Sequence, residues 1–519
     1  MRIVHKFGGT SVGDASCIAH VADIVLAQRR EAGNGNPEET VVVVSAMSGI
    51  TDRLIAGARA AAEGRDADYR RVKAELLARH LEVVEALLTR SPERLSVGGL
   101  VEDRLHDLER FYRSIALLGE VTARGLDAVA SFGELLSAHI LAAVLRERGV
   151  RAQALSATDL IVTDDAFGAA TPRTDLTRER LQGAVVPLLE RGVIPVITGF
   201  IGATEQGVTT TLGRGGSDYA AALVGAGLDA DEVWIWSDVD GILTADPNLV
   251  PGARTLAELS YAEAASLAYY GAEVLHPKTM RPVVQSGIPL RILNTFRPEH
   301  PGTRIVERPD DGRTLWPAII SSGGLSLIAV GSDDDSWVLP MAAHALQQLA
   351  RAGVEVLMFS QSFSEHSLNL IVRQQDRGHC LRTLRREFGV VAPANGSPAG
   401  QAAGPCVLGG TERVATVSVV GVSAWNGSGR GPAPAGGSLA SLAFGALGRC
   451  GTRVIAVAQA ASRLAASRPA AGRPAATEQA VSFCIPEEQM ADTVCFLHRE
   501  LGLEDEEGKS RSHGGHGAR

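Results

Sequence analysis

The first 300 residues alternate short β-branched runs with alanine- and leucine-rich stretches of helical period. Such alternation is typical of a layered α/β fold. The β-branched runs are apolar enough to be buried on both faces, as the strands of a parallel sheet are. A charged stretch of helical period predicts a helical insertion over 52–125. We predict strands over 2–7, 40–45, 193–198, 232–236 and 290–293.

After residue 310 the sequence repeats one plan twice: strand, helix, strand ending in glutamine, further strand, further helix. This is the order of a small ferredoxin-like α+β unit. In the first copy the glutamine ends a predicted strand over 354–361, and in the second a strand over 452–459. An Ala-, Arg- and Pro-rich insertion (460–480) interrupts the second copy. We predict domains at 1–308, 318–392 and 411–503, and a disordered polar tail at 504–519.

Composition excludes several classes of protein. The formal net charge of −9 argues against nucleic acid as the main partner, because phosphate binding needs clustered Lys and Arg. The six cysteines lack C-x-x-C spacing, which predicts reduced thiols and neither a disulfide framework nor a zinc site. The N-terminus has no signal-peptide core, and no apolar run approaches the ~18 residues that span a bilayer. We therefore expect a cytoplasmic protein with no membrane partner.

A glycine-rich loop at 211–219, Thr-Leu-Gly-Arg-Gly-Gly-Ser-Asp-Tyr, leads into an alanine-rich helix that begins near Ser217. Glycines let the backbone approach a ligand, a helix N-terminus presents free amides, and Arg214 offers a planar fork of donors. The loop is therefore interpreted as an anion site. The alternative is a tight connection that binds nothing.

A second candidate anion site is Lys6-Phe-Gly-Gly-Thr-Ser11, where a strand stops at paired glycines before a helix. Lys6 supplies a point charge, and the amides of Gly8 and Gly9 face the ligand, as does the positive end of the helix. The alternative for Lys6 is a solvated lysine at a strand end. No Walker motif occurs, and the glycines at 427–431 lack the flanking strand and helix of a Rossmann fingerprint. A different kind of phosphate binder is predicted.

These loops belong to an ordered series of motifs that together resemble aspartate kinase. The resemblance continues through 244–247, 259–261 and 270–278, and the C-terminal repeats resemble the paired ACT regulatory domains of that family. It implies an α/β catalytic domain (1–308), an amino-acid kinase (carbamate-kinase-like) three-layer sandwich with a mostly parallel sheet, followed by two ferredoxin-like ACT domains. The six motifs are Lys6-Phe-Gly-Gly-Thr-Ser-Val, Val44-Ser-Ala-Met-Ser-Gly, Ser131-Phe-Gly-Glu-Leu-Leu-Ser, Gly199-Phe-Ile-Gly, Leu212-Gly-Arg-Gly-Gly-Ser-Asp-Tyr and Trp236-Ser-Asp-Val-Asp-Gly-Ile.

The resemblance implies transfer of the γ-phosphoryl group of ATP to the side-chain carboxylate of L-aspartate, with Mg²⁺, giving 4-phospho-L-aspartate and ADP. In the family this is the first step towards lysine, threonine and methionine. An aspartate carboxylate is already ionised at neutral pH, so no general base is required, and cations and oriented amides should dominate. By resemblance Lys6 and Asp218 are catalytic, with Asp218 positioning Lys6 or magnesium. The alternative for Asp218 is a helix N-cap.

The same resemblance assigns the aspartate site. Arg214 clamps the α-carboxylate, Glu134 receives the ammonium group, and Ser45, Thr51 and Ser217 supply hydrogen bonds. For Glu134 the alternative is an acid favoured by the dipole at the start of a helix.

The family pattern implies nucleotide contacts from both ends of the catalytic domain. Many relatives carry an aromatic residue at Leu243, an arginine at Asn248 and a lysine at Glu273, so this chain departs from the pattern there. Glu273 would repel phosphates unless it turns toward ribose or pairs with Lys278. The implied ATP-binding residues are Lys6, Gly8, Gly9, Thr10, Ser237, Asp238, Gly241, Leu243, Asn248, Glu273 and Lys278.

The ACT-like units imply feedback inhibition by lysine, threonine or both, and a homodimer or larger homo-oligomer. The implied effector residues are Gln361, Ser364, Glu365 and Gln459, although each glutamine could instead be a surface residue at a strand end. Two other functions remain open: a kinase of another small acid such as glutamate, and a non-catalytic amino-acid sensor. Because the chain ends soon after the second repeat, we expect no module of homoserine dehydrogenase type.

Overall fold

A computed structural model of the chain describes residues 1–31, 39–271, 277–310, 317–331, 338–362, 367–388, 406–422, 439–463 and 477–503. The predicted tail (504–519) and the predicted site residues Glu273, Ser364 and Glu365 lie outside these ranges. The chain divides into two compact units. The first comprises Met1–Ile242, Thr255–Ala268 and Glu273–Asp311, and the second comprises Leu243–Arg254, Tyr269–Ala272 and Gly312–Arg519.

The first unit alternates strands and helices along most of its length. Its strands are β1 (Arg2–Phe7), β2 (Glu39–Val44), β3 (Ala152–Leu155), β4 (Val162–Thr163), β5 (Ile194–Thr198), β6 (Ile201–Thr204), β7 (Thr209–Thr211), β8 (Glu232–Ser237), β9 (Glu258–Ser260), β10 (Leu290–Asn294) and β11 (Thr303–Val306). Its helices are α1 (Ala15–Glu31), α2 (Ile50–Ala62), α3 (Asp66–Leu87), α4 (Ser91–Leu118), α5 (Ala123–Glu147), α6 (Thr174–Glu190), α7 (Gly216–Gly227), α8 (Tyr261–Tyr269) and α9 (Pro277–Ser286).

Eight of these strands form one sheet in the order β3-β5-β2-β1-β8-β10-β11-β9. Every pairing in it is parallel except that of β10 with β11. The central strands are almost wholly buried, as expected for strands covered by helices on both faces. The other three strands of this unit form a smaller sheet in the order β4-β6-β7. The predicted mostly parallel α/β fold is confirmed.

All five predicted strands of this unit are present, with ends within one residue of the prediction. The sequence patterns missed β3, β4, β6, β7, β9 and β11. These strands have between two and four residues, which is too short for a run of burial or alternation to stand out. The predicted helical insertion corresponds to α2, α3 and α4.

Helix α5 corrects one sequence prediction. It contains an 18-residue window of mean hydropathy 1.7, so by length and composition it could cross a bilayer, although no such run was predicted. Within the fold 83% of that window is buried, because α5 packs against the helical insertion and the sheet. This is the environment of a core helix, and the hydropathy of α5 follows from that burial.

The second unit contains the internal repeat. Its elements are β12 (Ala318–Gly331), α10 (Val338–Arg351), β13 (Met358–Ser362), β14 (Ser367–Arg373), α11 (Arg377–Phe388), β15 (Cys406–Val422), α12 (Leu439–Cys450), β16 (Ala456–Arg463), β17 (Thr477–Pro486) and α13 (Met490–Glu500). The six strands form one antiparallel sheet in the order β13-β14-β12-β15-β17-β16. The two first strands of the repeat, β12 and β15, pair at its centre.

Two strands of the repeat begin later than predicted. Residues 354–357 and 452–455 are not strand, and β13 and β16 start at Met358 and Ala456. These segments directly follow helices α10 and α12. Their apolar residues pack against the core where the chain leaves each helix, as the buried side chain of Val354 does. Strand pairing also extends into both ends of the predicted insertion, where Arg463 pairs with Thr477.

A segment of the chain between two parts of the first unit belongs to the second unit. In Leu243–Arg254, the side chains of Ala245 and Val250 are buried in the apolar core of the second repeat. Thr244 and His498 share a buried hydrogen bond of 3.0 Å between Oγ1 and Nε2. The backbone N–H of Ile319 donates to the Thr244 carbonyl over 2.7 Å. This segment is therefore fixed by the second unit.

Candidate active site

A cavity of about 690 Å³ opens in the first unit at the carboxyl ends of four adjacent parallel strands. Its walls include the loops that follow β5, β2, β1 and β8, which is where open α/β sheets usually bind ligands. The cavity brings together all of the predicted catalytic and aspartate-binding residues. The predicted site residues that line it are Lys6, Gly9, Thr10, Ser45, Thr51, Glu134, Arg214, Ser217, Asp218 and Asp238.

Lys6 and Asp218 form an ion pair inside this cavity. The Lys6 Nζ atom lies 2.6 Å from Asp218 Oδ1, and the two side chains are 11% and 17% exposed. Asp218 stands in the first turn of α7, but the N-cap of that helix is Gly215 and no side chain caps it. The N-cap alternative for Asp218 is therefore wrong. Its carboxylate instead fixes the lysine amine at the end of β1.

The paired glycines after β1 allow close packing around this lysine. A Cβ atom on Gly8 would lie 3.4 Å from Lys6 Nζ, and one on Gly9 would lie 3.1 Å from the Ala46 carbonyl oxygen. The N–H of Gly8 donates to the Trp236 carbonyl over 3.3 Å, so it does not face the cavity as predicted. Gly9 and Thr10 remain at the cavity wall.

His5, next to Lys6 in sequence, adds no positive charge to the site. Burial lowers the pKa of His5 to about 3, so its imidazole is neutral at physiological pH. Its Nδ1 atom accepts a hydrogen bond from Trp236 Nε1 over 3.2 Å. The local positive charge at the end of β1 therefore comes from Lys6.

Glu134 lies in the middle of α5, at the cavity wall, and is only 3% exposed. Because it does not open the helix, the alternative of a dipole-favoured acid is wrong. Burial raises the pKa of this carboxyl from 4.5 to about 8, an effect partly offset by the backbone N–H of Ala46. Its Oε2 atom has no hydrogen-bond partner among the described residues. Such a buried acceptor is suited to a cationic ligand group.

The turn that carries Arg214 has a backbone shape that requires glycine. Gly213 and Gly215 have φ angles of +79° and +68°, in the left-handed region. Gly199 faces Ser217 so closely that a Cβ atom would lie 2.8 Å from its hydroxyl oxygen. The Arg214 side chain is exposed and lines the cavity.

Apart from residues 6–10, the described residues that were predicted to bind nucleotide separate into three groups. Asp238 lines the cavity, Ser237 is the last residue of β8, and Gly241 belongs to the loop that follows. Gly241 has φ +108°, and a Cβ atom there would lie 2.4 Å from Thr303 Oγ1. Lys278 is an exposed residue of α9.

The remaining two described nucleotide residues, Leu243 and Asn248, lie in the second unit. The Asn248 side-chain amide donates to Asp246 Oδ1 over 3.1 Å, so it is engaged in a local turn.

The cavity is also lined by residues that the sequence did not predict to be site residues. Among them are Asp52, Gly168 and Phe200. Phe200 has φ +65°, which is strained for a residue with a side chain, and it belongs to a motif that was recognised without a role. No motif marks Gly168, because the loop that contains it comes to the cavity only through tertiary contacts.

In the second unit, Gln361 and Gln459 lie on β13 and β16, the two edge strands of the sheet. Gln361 pairs with Leu368, and Gln459 with Val481. Strands β13 and β16 also contact each other. The described cysteine side chains are all free thiols, as predicted.

A parallel sheet with a lysine, an arginine and glycine turns at its carboxyl edge is an arrangement typical of α/β proteins that bind anionic small molecules. A model of the amino acid kinase family matches residues 1–294, and an ACT domain model matches residues 339–388. The chain is 37% identical over 373 residues to lysine-sensitive aspartokinase 3 of Escherichia coli (strain K12), covering 71% of this chain and 78% of that protein. The chain belongs to the amino acid kinase family, and within it to the aspartokinases.

Solved structures agree over nearly the whole chain. E. coli aspartokinase III in complex with aspartate and ADP (R-state) has a TM-score of 0.71 at 28% identity, covering 97% of this chain and 100% of that one. The same enzyme with lysine and aspartate (T-state) has a TM-score of 0.72 at 28% identity, covering 96% and 99%. By contrast, the chain spans only 42% to 64% of the length of four Arabidopsis thaliana relatives.

Proposed function

We propose that this protein transfers the γ-phosphoryl group of ATP to the side-chain carboxylate of L-aspartate, forming 4-phospho-L-aspartate and ADP. The observation that carries the proposal is the convergence of Lys6, Asp218, Glu134 and Arg214 on one cavity. Aspartate has two carboxylates and one ammonium group, and the cavity offers cations for the first and a buried carboxyl for the second. In the solved complex of E. coli aspartokinase III, aspartate and ADP are bound together.

In this reaction the protein brings two anions together and stabilises the charge that spreads over the transferring group. Lys6 contacts that group from the end of β1, held by its ion pair with Asp218. Arg214 binds the α-carboxylate of aspartate, and Glu134 binds its ammonium group. Ser45, Thr51 and Ser217 donate the remaining hydrogen bonds, and the side-chain carboxylate is left facing Lys6.

ATP binds along the loop after β8, with Gly9, Thr10, Ser237, Asp238 and Gly241 as contacts. We also propose Gly8, Leu243, Asn248, Glu273 and Lys278 as nucleotide residues, carried over from the family pattern. Of these, Gly8 would act through its small size, since its N–H is already bonded within the fold.

The donor chemistry of the cavity fits magnesium that arrives with ATP. The described residues contain no group of three or more metal-ligating side chains, so there is no dedicated protein cage in those parts of the chain. Mg²⁺ commonly uses one or two carboxylates together with substrate phosphates. Asp218 and Asp238 line the cavity and would supply these carboxylates. When bound, magnesium would neutralise phosphate charge.

Regulation by an end-product amino acid belongs to the same proposal. Lysine is bound in one of the solved E. coli structures, and the related E. coli enzyme is named lysine-sensitive. We propose lysine or threonine as effector, with Gln361, Ser364, Glu365 and Gln459 as contacts, in a cytoplasmic homodimer or larger homo-oligomer. The feedback idea fails if neither amino acid, alone or together, changes the initial rate at saturating concentration.

One assay tests the proposed activity directly. The purified full chain is incubated with ATP and magnesium plus aspartate, glutamate or neither, and any acyl phosphate is trapped with hydroxylamine as the hydroxamate. We expect hydroxamate that depends on aspartate. Hydroxamate with glutamate alone would identify a different small-acid kinase, and none with either, over a broad range of pH and magnesium, would favour a non-catalytic sensor. Arg214→Ala should mainly raise the aspartate requirement.

A further inference from the structure

Asp127 is a buried acid on α5 that no motif marks and no step of the proposed reaction uses. It is 3% exposed, and it lies two helical turns before Glu134, on the same side of the helix. A carboxylate is rarely buried unless its oxygens accept hydrogen bonds. The identity of the donors therefore shows what Asp127 holds in place.

Its three donors come from two separate segments of the chain. Asp127 Oδ2 accepts the backbone N–H of Gly168 and that of Thr211, both over 2.9 Å. Asp127 Oδ1 accepts the Thr211 hydroxyl over 2.8 Å. One carboxylate thus joins the loop at Gly168 to the end of β7.

Both of these segments lead directly into the cavity wall. Gly168 lines the cavity, and Thr211 is followed by the glycine turn that carries Arg214. The segments also contact each other, since the N–H of Ala170 donates to the Thr211 carbonyl over 2.8 Å. A Cβ atom on Gly213 would lie 3.2 Å from the Gly168 carbonyl oxygen. The base of the Arg214 turn is therefore packed against the segment that Asp127 holds.

Arg214 itself depends on this backbone for its position. Its guanidinium is exposed and has no hydrogen-bond or ion-pair partner among the residues that the structure describes. A side chain without partners is placed by the backbone that carries it, and catalytic geometry tolerates only small displacements. We propose that Asp127 is a positioning residue that holds the Arg214 turn in register for the α-carboxylate of the substrate.

This proposal rests on the proposed role of Arg214 and assigns a second function to α5. Through Glu134 the helix contacts the ammonium group, and through Asp127 it sets the arginine that binds the carboxylate. One rigid helix would thereby fix the spacing between the two groups that recognise the amino-acid end of aspartate.

The test is steady-state kinetics of folded full-length variants. Asp127→Ala leaves two backbone N–H groups and a hydroxyl without their acceptor, and should raise KM for aspartate about tenfold or more. KM for ATP should stay within about twofold of the wild-type value. Asp127→Asn keeps an acceptor for the backbone donors, while its amide faces the Thr211 oxygen. It should therefore restore KM for aspartate to within about threefold of wild type.

Thr211→Val provides a milder variant that should fold even if Asp127→Ala does not. It removes only the hydroxyl bond and should raise KM for aspartate about threefold or more. Thr177→Val is the matched control, because the Thr177 hydroxyl oxygen accepts the Val162 N–H over 3.0 Å at the opposite edge of the same small sheet. It should lower stability and leave both KM values unchanged.

A double-variant cycle with Arg214→Ala separates this proposal from the role of Arg214. If Arg214→Ala alone leaves kcat/KM for aspartate unchanged, the proposed role of Arg214 is wrong and the positioning role falls with it. If Arg214→Ala lowers kcat/KM, adding Asp127→Ala should lower it little further, since the two act through one contact. A full additional loss in the Arg214→Ala background would overturn the positioning role alone. So would folded Asp127→Ala and Thr211→Val enzymes that bind aspartate normally.

Discussion

Burial and the binding of an ammonium group shift the pKa of Glu134 in opposite directions. Its carboxyl is held in a dry part of the first unit, where the pKa rises to about 8, so the group is largely protonated at neutral pH before substrate binds. An ammonium group beside it favours the ionised form. Binding of aspartate should therefore release a proton, and the affinity should depend on pH.

We expect KM for aspartate to fall as the pH rises from about 6.5 towards 8, by up to about tenfold per pH unit, and to level off above the pKa of Glu134. The physical reason is that only the ionised carboxylate pairs with the ammonium group. Initial rates at varied aspartate and saturating ATP measure this. In Glu134→Gln the slope should vanish, whereas a slope that persists in this variant would contradict the assignment.

The same pKa predicts the effect of pH on stability without substrate. The carboxyl binds a proton more tightly in the folded state than in the unfolded state, where its pKa is near 4.5. Below about pH 4.5 the carboxyl is neutral in both states and does not lower the free energy of unfolding. That free energy then decreases as the pH rises from about 4.5 through 8. Glu134→Gln should raise the denaturation midpoint more at pH 8.5 than at pH 4.5. Equal shifts at both pH values would show that Glu134 does not titrate in this range.

Lys6 should carry most of the phosphoryl-transfer rate. Lys6→Ala is expected to lower kcat by roughly a hundredfold or more, because it removes the cation beside the transferring group. Hydroxamate formation measures the loss. Lys73→Ala is the control, since Lys73 also pairs with an acid, Glu109 at 3.4 Å, but belongs to the helical insertion. Near-normal kcat in Lys6→Ala would remove Lys6 from the reaction.

At the scale of elements, helices of the first unit differ in what surrounds their glycines. In α2, a Cβ atom on Gly57 would lie 2.5 Å from the Tyr112 hydroxyl oxygen, and that hydroxyl donates to the Leu54 carbonyl. In α6, Gly183 is exposed and a Cβ atom would meet nothing within 4 Å. One glycine permits helices to approach closely, and the other only weakens its helix.

Alanine should therefore have opposite effects at these two positions. Gly57→Ala should destabilise the protein by about 1–3 kcal/mol through overpacking against Tyr112. Gly183→Ala should stabilise it by about 0.5–1 kcal/mol, because alanine loses less backbone entropy in a helix. Denaturation midpoints of the two variants measure the difference. Shifts of the same sign would contradict the packing described for Gly57.

At the scale of the whole molecule, the two units are not consecutive in sequence. The chain leaves the first unit at residue 243, contributes Ala245 and Val250 to the core of the second repeat, and returns at Thr255. The N-terminal half of the chain thus carries apolar side chains whose partners are supplied by the C-terminal half. When the halves are separated, these apolar side chains should be exposed to solvent and promote aggregation.

A chain truncated after residue 311 should therefore aggregate more than the full chain, because the 243–254 segment loses its apolar partners. Light scattering of the purified fragment measures this. Val250→Ser should reduce aggregation of the fragment yet destabilise the full chain, where Val250 is 7% exposed. If Val250→Ser improved both the solubility of the fragment and the stability of the full chain, or lowered both, the result would contradict this account.

Much of the site could be predicted because its residues are local in sequence. Lys6-Phe-Gly-Gly ends a strand, and the glycines around Arg214 precede a helix, so both loops carry their chemistry within a few residues. Asp127 and Gly168 could not be found this way, since their role exists only where distant segments meet. The helix-start interpretation of Glu134 was wrong for a related reason: helix α5 begins eleven residues earlier than the motif suggests.

The sequence by itself determined the strand and helix alternation, the repeat, the family and the two glycine-rich loops at the cavity, because each depends on the order and spacing of neighbouring residues. Tertiary structure alone decided the pKa of Glu134, the Lys6–Asp218 pair, the hydrogen bonds that Asp127 accepts and the membership of 243–254 in the second unit. Burial and hydrogen-bond partners depend on contacts between residues far apart in the chain, and such contacts leave no local pattern to read.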